Sequence, residues 1–174
     1  MDRLWTPWRY QYISEAGGGK TSTESNPCVF CSLRDSDSDE HNFVLFRAHH
    51  NFVVLNLYPY TSGHLLIVPF VHTADLDQAS KESTDEMMDL AKGCQTILRE
   101  TYNPHGFNLG MNLGRSAGAG VADHIHLHVL PRWTGDANFM TTTGETRVLP
   151  EDLPTTYNKL HKHFAAFPLH QPLL

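Results

Sequence analysis

The chain has 174 residues, enough for one domain with a single sizeable core. Apolar residues make up 40%, charged residues 18%, and the formal net charge is -6, which removes any bulk attraction to nucleic acid or to an anionic membrane. A small anionic ligand therefore needs locally placed donors, and the 12 histidines make histidine the residue type whose placement matters.

The chain opens Met1-Asp2-Arg3-Leu4-Trp5-Thr6-Pro7-Trp8 with no apolar signal core after it, and no apolar run approaches a membrane span. The expected compartment is the cytoplasm, with no membrane partner and no nucleic-acid partner. Residues 1–27 read as an irregular arm, crowded with Trp5, Trp8, Tyr10 and Tyr12 and broken at Gly17-Gly18-Gly19. Residues 28–174 read as a single domain with a C-terminal tail.

In the polar stretch 33–42, Asp35, Asp37 and Asp39 have calcium-loop spacing. The sixth position is Glu40 rather than glycine and the twelfth is Phe46 rather than glutamate, so the stretch reads as a solvated turn. Short β-branched and aromatic runs at 43–47, 52–57 and 64–70 predict strands, with Pro59, Thr61, Ser62 and Gly63 in the connection before the third. Ser83-Thr84-Asp85-Glu86 fits a capping box. Met87, Leu90, Ala91, Cys94, Ile97 and Leu98 follow at helical period, predicting a helix over about 80–101 that ends at Asn103-Pro104. Cys94 falls on the apolar face, as a small buried hydrophobe. Residues 106–113 and 123–131 predict two more strands, and 151–164 a short helix. The fold class is α+β: an antiparallel sheet of about five strands, one long helix and a short C-terminal helix.

The decisive stretch is His124-Ile125-His126-Leu127-His128-Val129. Its period of two predicts a strand with three imidazoles on one face, neighbours roughly 6.5–7 Å apart. Neutral imidazole is a nucleophile and a metal ligand, and protonated imidazole stabilises phosphate charge. A solvated face is the bland alternative, but burying such a face needs specific partners. All three ligating one ion is weaker, because a row on one strand spans too far for a tetrahedral site. Before the strand runs a Gly-rich loop, Asn112 to Gly120 with Gly114, Gly118 and Gly120, able to present backbone N–H groups to phosphate. It is neither a P-loop nor a dinucleotide fingerprint. Cys28-Val29-Phe30-Cys31 is a typical zinc thiolate pair. Redox chemistry and two ordinary buried thiols remain open beside it.

His124-x-His126-x-His128 resembles the signature of the histidine-triad (HIT) family. The resemblance runs over about 28–135 and includes Asn56 to Pro69. The segments Leu4-Trp5-Thr6-Pro7-Trp8-Arg9 and Pro131 to Phe139 resemble the bacterial branch that includes diadenosine tetraphosphate phosphorylases. The resemblance implies a HIT-like fold and an enzyme of nucleotidyl transfer or hydrolysis on a small-molecule nucleotide. Dinucleoside polyphosphates are the first expectation, nucleoside phosphoramidates or non-catalytic nucleotide binding the alternatives. It implies that His126 attacks the α-phosphorus, that His128 donates to phosphate, and that His64 supports the triad. Asn56 would contact the ribose, with Asn112, Gly118 and Gly120 on the phosphates. It further implies a structural zinc on Cys28, Cys31, His72 and His124, and a homodimer.

Overall fold

The computed structural model describes residues 28–144 and 149–167; the expected N-terminal arm lies outside them. In chain order these form α1 (Val29–Arg34), β1 (Val44–Arg47), β2 (Asn51–Leu55), β3 (Leu65–Pro69), a 3-10 turn (Leu76–Gln78), α2 (Lys81–Tyr102) and β4 (Gly106–Gly110). A second 3-10 turn (Arg115–Ala117), β5 (Leu127–Arg132), α3 (Phe139–Thr142) and α4 (Leu153–Phe164) complete them. Five strands form one antiparallel sheet in the order β1-β2-β3-β5-β4. The strand that carries the last histidine of the triad is thus flanked on both sides.

The sheet separates two apolar layers. Val53, Leu55, Leu65, Ile67, Leu127 and Val129 face α2 and α4 through Met87, Leu90, Cys94, Leu98, Leu160 and Phe164. Phe52, Val54, Leu66 and Val68 face the other way and pack with Phe30 of α1. Both faces of β2 and β3 are covered, and every residue of the two strands is buried. That explains their unbroken apolar runs, which do not alternate as a half-exposed strand does. Cys94 is fully buried, and desolvation raises its thiol pKa, so it acts as core.

Two expectations are corrected. The helix begins at Lys81, capped by Ser80, whose hydroxyl accepts from the Ser83 N–H at 3.2 Å. Ser83 and Glu86 are therefore inside the helix and not a capping box. Ser83 Oγ donates to Asn51 Oδ1 at 3.1 Å. The Glu86 carboxylate accepts from the backbone N–H groups of His49 and His50, at 2.9 and 2.8 Å. Those donors, stranded at the β1–β2 turn, win the carboxylate from the helix's own first turn. The histidine strand is also shorter than its alternation predicts: the ladder starts at Leu127, so only His128 lies in β5. His124, at a bend, and His126 precede the ladder, where Ile125 N–H donates to Thr73 O at 2.8 Å rather than to β3.

Smaller differences follow from local chemistry. Stretch 33–42 is held by Arg47, which pairs with Asp39 at 2.7 Å and donates to the carbonyls of Leu33, Arg34 and Ser36. The fourth strand stops at Gly110, and α3 falls where no helix was expected. Asp152 caps α4 by accepting from Thr155 N–H at 2.8 Å. Gly63 sits at φ +75°, with a built Cβ only 3.0 Å from Leu98 Cδ2, so the turn into His64 requires glycine. No described helix is long and apolar enough to cross a membrane.

Candidate active site and metal cluster

The site lies on the sheet face that packs with α1. His128 is paired across the sheet with Leu66 of β3 and with Gly110 of β4. Cross-strand partners share a face, so the imidazole stands on the Leu66 side, away from the long helix. Asn112 lies two residues beyond Gly110 and enters the Gly-rich loop, where its side-chain amide donates to Gly118 O at 3.4 Å. Gly114 and Gly118 take φ of +79° and +89°, which glycine alone adopts without strain.

The hydrogen bonds fix the ring protons. His126 Nδ1–H donates to the carbonyl of His124 at 3.0 Å. Its Nε2 then carries the lone pair. The ring is buried, and desolvation holds its pKa below the ordinary imidazole value despite that carbonyl. Tyr60 N–H donates to His64 Nδ1 at 3.1 Å, leaving the His64 proton on Nε2. His64 Nε2–H therefore donates to His128 Nδ1, 2.9 Å away. His128 must in turn carry its own proton on Nε2 if it is neutral. That atom is buried and has no hydrogen-bond partner among the described residues. Such a donor costs free energy unless something accepts from it. Burial first, then the neighbouring imidazoles, lowers His64 to about 3 and His128 to about 4. All three rings are neutral at pH 7.

Asn56 closes the turn in front of His64. Its backbone N–H donates to His64 O at 3.0 Å, its side-chain oxygen accepts from Tyr58 N–H, and its amide nitrogen lies 3.3 Å from the His64 ring. Tyr60 lies over His64, with ring centroids 4.9 Å apart, and stacks at 15° on His128. It also forms one wall of a cavity of about 420 Å³, lined further by Thr61, Ser62, Arg132 and Trp133. The sequence pattern does not mark Tyr60, because its hydrogen bond to His64 comes from a backbone N–H, which carries no residue signature, and a lone exposed tyrosine in a turn has no period.

His124 points away from this pair. Its Nε2–H donates to Pro69 O at 2.9 Å, and its Nδ1 lies 3.3 Å from Cys28 Sγ and 3.8 Å from Cys31 Sγ. His72 Nδ1 lies 3.3 Å from Cys31 Sγ. The four ligand atoms of Cys28, Cys31, His72 and His124 fall within 4.8 Å of one another. A tetrahedral ion at zinc bond lengths separates sulfur and nitrogen ligands by roughly 3.6 Å, so the set fits such a metal. The Pro69 carbonyl accepts from the other nitrogen of His124, the outer hydrogen bond that would hold the imidazole in orientation toward a metal. Burial, then the neighbouring Cys28, raises the Cys31 thiol above its usual pKa, a cost that a bound cation would reverse.

Other proteins are similar to this chain in sequence and fold. The HIT domain family model matches residues 38–135. A Mycobacterium tuberculosis protein named AP-4-A phosphorylase is 38% identical over 169 residues, covering 97% of this chain and 87% of its own. A Zn-bound histidine triad family protein from Mycobacterium smegmatis superposes with a TM-score of 0.65 at 29% identity, over 80% of this chain and 94% of its own. A Bacillus subtilis member of the HIT family superposes with a TM-score of 0.57 at 26% identity, over 79% of this chain and 96% of its own. With the domain model covering more than half of its length and a relative matched almost end to end, the chain belongs to the histidine-triad family.

Proposed function

We propose that the chain is an enzyme that cleaves dinucleoside polyphosphates, diadenosine tetraphosphate first among them, through a nucleotidyl-histidine formed on His126. The observation that carries this reading is the pair of neutral imidazoles. His126 holds its proton on a carbonyl and leaves Nε2 free to attack; His128 has a buried donor with no partner among the described residues. Similarity to the mycobacterial protein named AP-4-A phosphorylase supports the substrate class and inorganic phosphate as the acceptor.

The chemistry runs in two displacements. The Nε2 lone pair of His126 attacks the α-phosphorus, the bond to the bridging oxygen breaks, and its electron pair leaves with the polyphosphate. The resulting imidazolium keeps its Nδ1–H on the His124 carbonyl, so no proton has to leave the attacking ring. Phosphate oxygen then attacks the same phosphorus, and the P–N electron pair returns to Nε2. His128 Nε2–H donates to the phosphate oxygens as their charge grows, a contribution of roughly 3–4 kcal/mol for one well-placed donor. His64 holds His128 in the tautomer that donates. Asn56 would take the ribose, with Asn112, Gly118 and Gly120 on the phosphates.

Cys28, Cys31, His72 and His124 would hold zinc. The M. smegmatis relative described as Zn-bound and the fit of the donor set support that reading. Four protein ligands leave no open position, so the metal would be structural, tying α1 to the segment that carries His126. Family resemblance further supports a homodimer.

Incubating the protein with diadenosine tetraphosphate separates the readings. ADP plus ATP, formed only with inorganic phosphate and lost in His126→Ala with nucleotide binding retained, is the expected result. AMP plus ATP without phosphate would make the chain a hydrolase, and no cleavage in either condition would overturn the substrate class.

The pKa shifts predict an acid limb in stability. Unfolded imidazoles take up protons near pH 6.5, whereas folded His64 and His128 do so only near 3 and 4. Between those values the unfolded state binds more protons, so this stabilisation is complete above pH 6.5 and lost as pH falls toward 4. The Tm should drop on going from pH 7 to pH 5, and His64→Gln should make that drop shallower. An equal drop in both chains would contradict the assignment.

For the metal, wild-type protein should carry about one zinc per chain, and Cys31→Ser should lose it together with several degrees of Tm. A metal-free wild type of unchanged Tm after chelation would remove zinc from the account.

A further inference from the structure

Phe30 stands between the two cysteines of the metal cluster and against the attacking histidine. Its ring is 5% exposed, and its centroid lies 5.0 Å from that of His126 and 5.5 Å from that of His124. His126 is also bounded by the His128 ring, at 4.9 Å. A single hydrogen bond at Nδ1 is a pivot: it fixes one atom of the imidazole and leaves the plane free to rock about that atom. Rocking swings Nε2, the atom on the opposite side of the ring, off the line of attack. The Phe30 ring, tilted 52° to the imidazole with its centroid 5.0 Å away, fills the space into which the plane would rock and removes that freedom.

Phe30 is itself held by more than its own helix. The helix α1 has six residues and no side-chain cap at its start, too short to persist unaided. At its beginning Cys28 and Cys31 belong to the metal cluster. At its end Arg47 donates to the carbonyls of Leu33 and Arg34, and Arg34 donates to Phe70 O at 3.1 Å. Between these fastenings the Phe30 ring fills the small apolar layer with Phe52, Val54, Leu66 and Val68. Of the two residues between the cysteines, Val29 is exposed and Phe30 faces the reaction centre.

We infer that Phe30 is a positioning residue for nucleotidyl transfer, transmitting the placement of the cysteine cluster to the ring of His126. The inference rests on the reading of His126 as the nucleophile. It predicts that removing the ring harms the chemical step more than substrate binding, because a small misplacement of a nucleophile is felt in the transition state.

The test uses the full-length metal-loaded protein and two variants, Phe30→Ala and Phe30→Leu, beside wild type. Zinc content is read with a chromophoric chelator, kcat and KM with diadenosine tetraphosphate, and the His126 Nδ1–H by nitrogen-edited NMR of the imidazole region. Zinc should stay at the wild-type level in both. In Phe30→Ala, kcat should fall about tenfold or more while KM moves less than about threefold, and the Nδ1–H signal should broaden or vanish. Phe30→Leu keeps only part of the bulk and should fall between the alanine variant and wild type, with kcat lowered about threefold and a broadened Nδ1–H signal, so it also answers the question if the alanine chain does not fold. Wild-type kcat with a sharp Nδ1–H signal in the variants would overturn the inference. So would a loss confined to KM, which would make the ring a wall of the substrate site, or loss of zinc from both variants, which would make it part of the cluster. A wild type that turns over nothing fails the functional reading instead, and the NMR signal still reports whether Phe30 positions the ring.

Discussion

The backbone carbonyl of His124 is the point on which this site depends. It accepts the Nδ1 proton of His126 at 3.0 Å and so decides which nitrogen of that ring is free. That carbonyl belongs to a residue fixed twice through its own side chain, by Pro69 O on one nitrogen and by the cysteine cluster on the other. A peptide group with so little freedom is a rigid acceptor, and a rigid acceptor is what allows a neutral imidazole to attack without first losing a proton.

A second constraint fixes the other ring. The donor series from Tyr60 N–H through His64 to His128 sets each tautomer in turn and ends on a buried donor. Desolvation keeps His64 and His128 uncharged, so the series cannot collapse into imidazolium repulsion near neutral pH. The two constraints meet at rings 4.9 Å apart, one presenting a lone pair and the other a proton. The sheet supplies the rigidity: β5 is paired on both sides, and the layer beneath it is filled by α2.

Much of this was legible in the chain. The alternation around His126 and the helical period from Met87 to Leu98 report buried faces, and burial follows from side-chain chemistry. The family resemblance supplied what spacing could not: His72 lies far from the cysteines in sequence, and the structure places its Nδ1 beside Cys31 Sγ. The boundaries were less legible where tertiary partners decide. Ser83 and Glu86 match a capping box, yet Asn51 and the β1–β2 turn claim them. His124 and His126 alternate like a strand but stop short of the ladder, because Ile125 pairs with Thr73. Tyr60 and the carbonyls of Pro69 and His124 were invisible, since backbone groups leave no mark in a sequence.

Trapping the covalent intermediate decides whether His126 is the nucleophile. The protein is mixed briefly with diadenosine tetraphosphate without phosphate, quenched in base to preserve a P–N bond, digested and examined by mass spectrometry. The expected result is the mass of one adenylyl group on the peptide that contains His126, localised to that residue and discharged when phosphate is added before the quench. Turnover with no adduct, or an adduct on another residue, would contradict it.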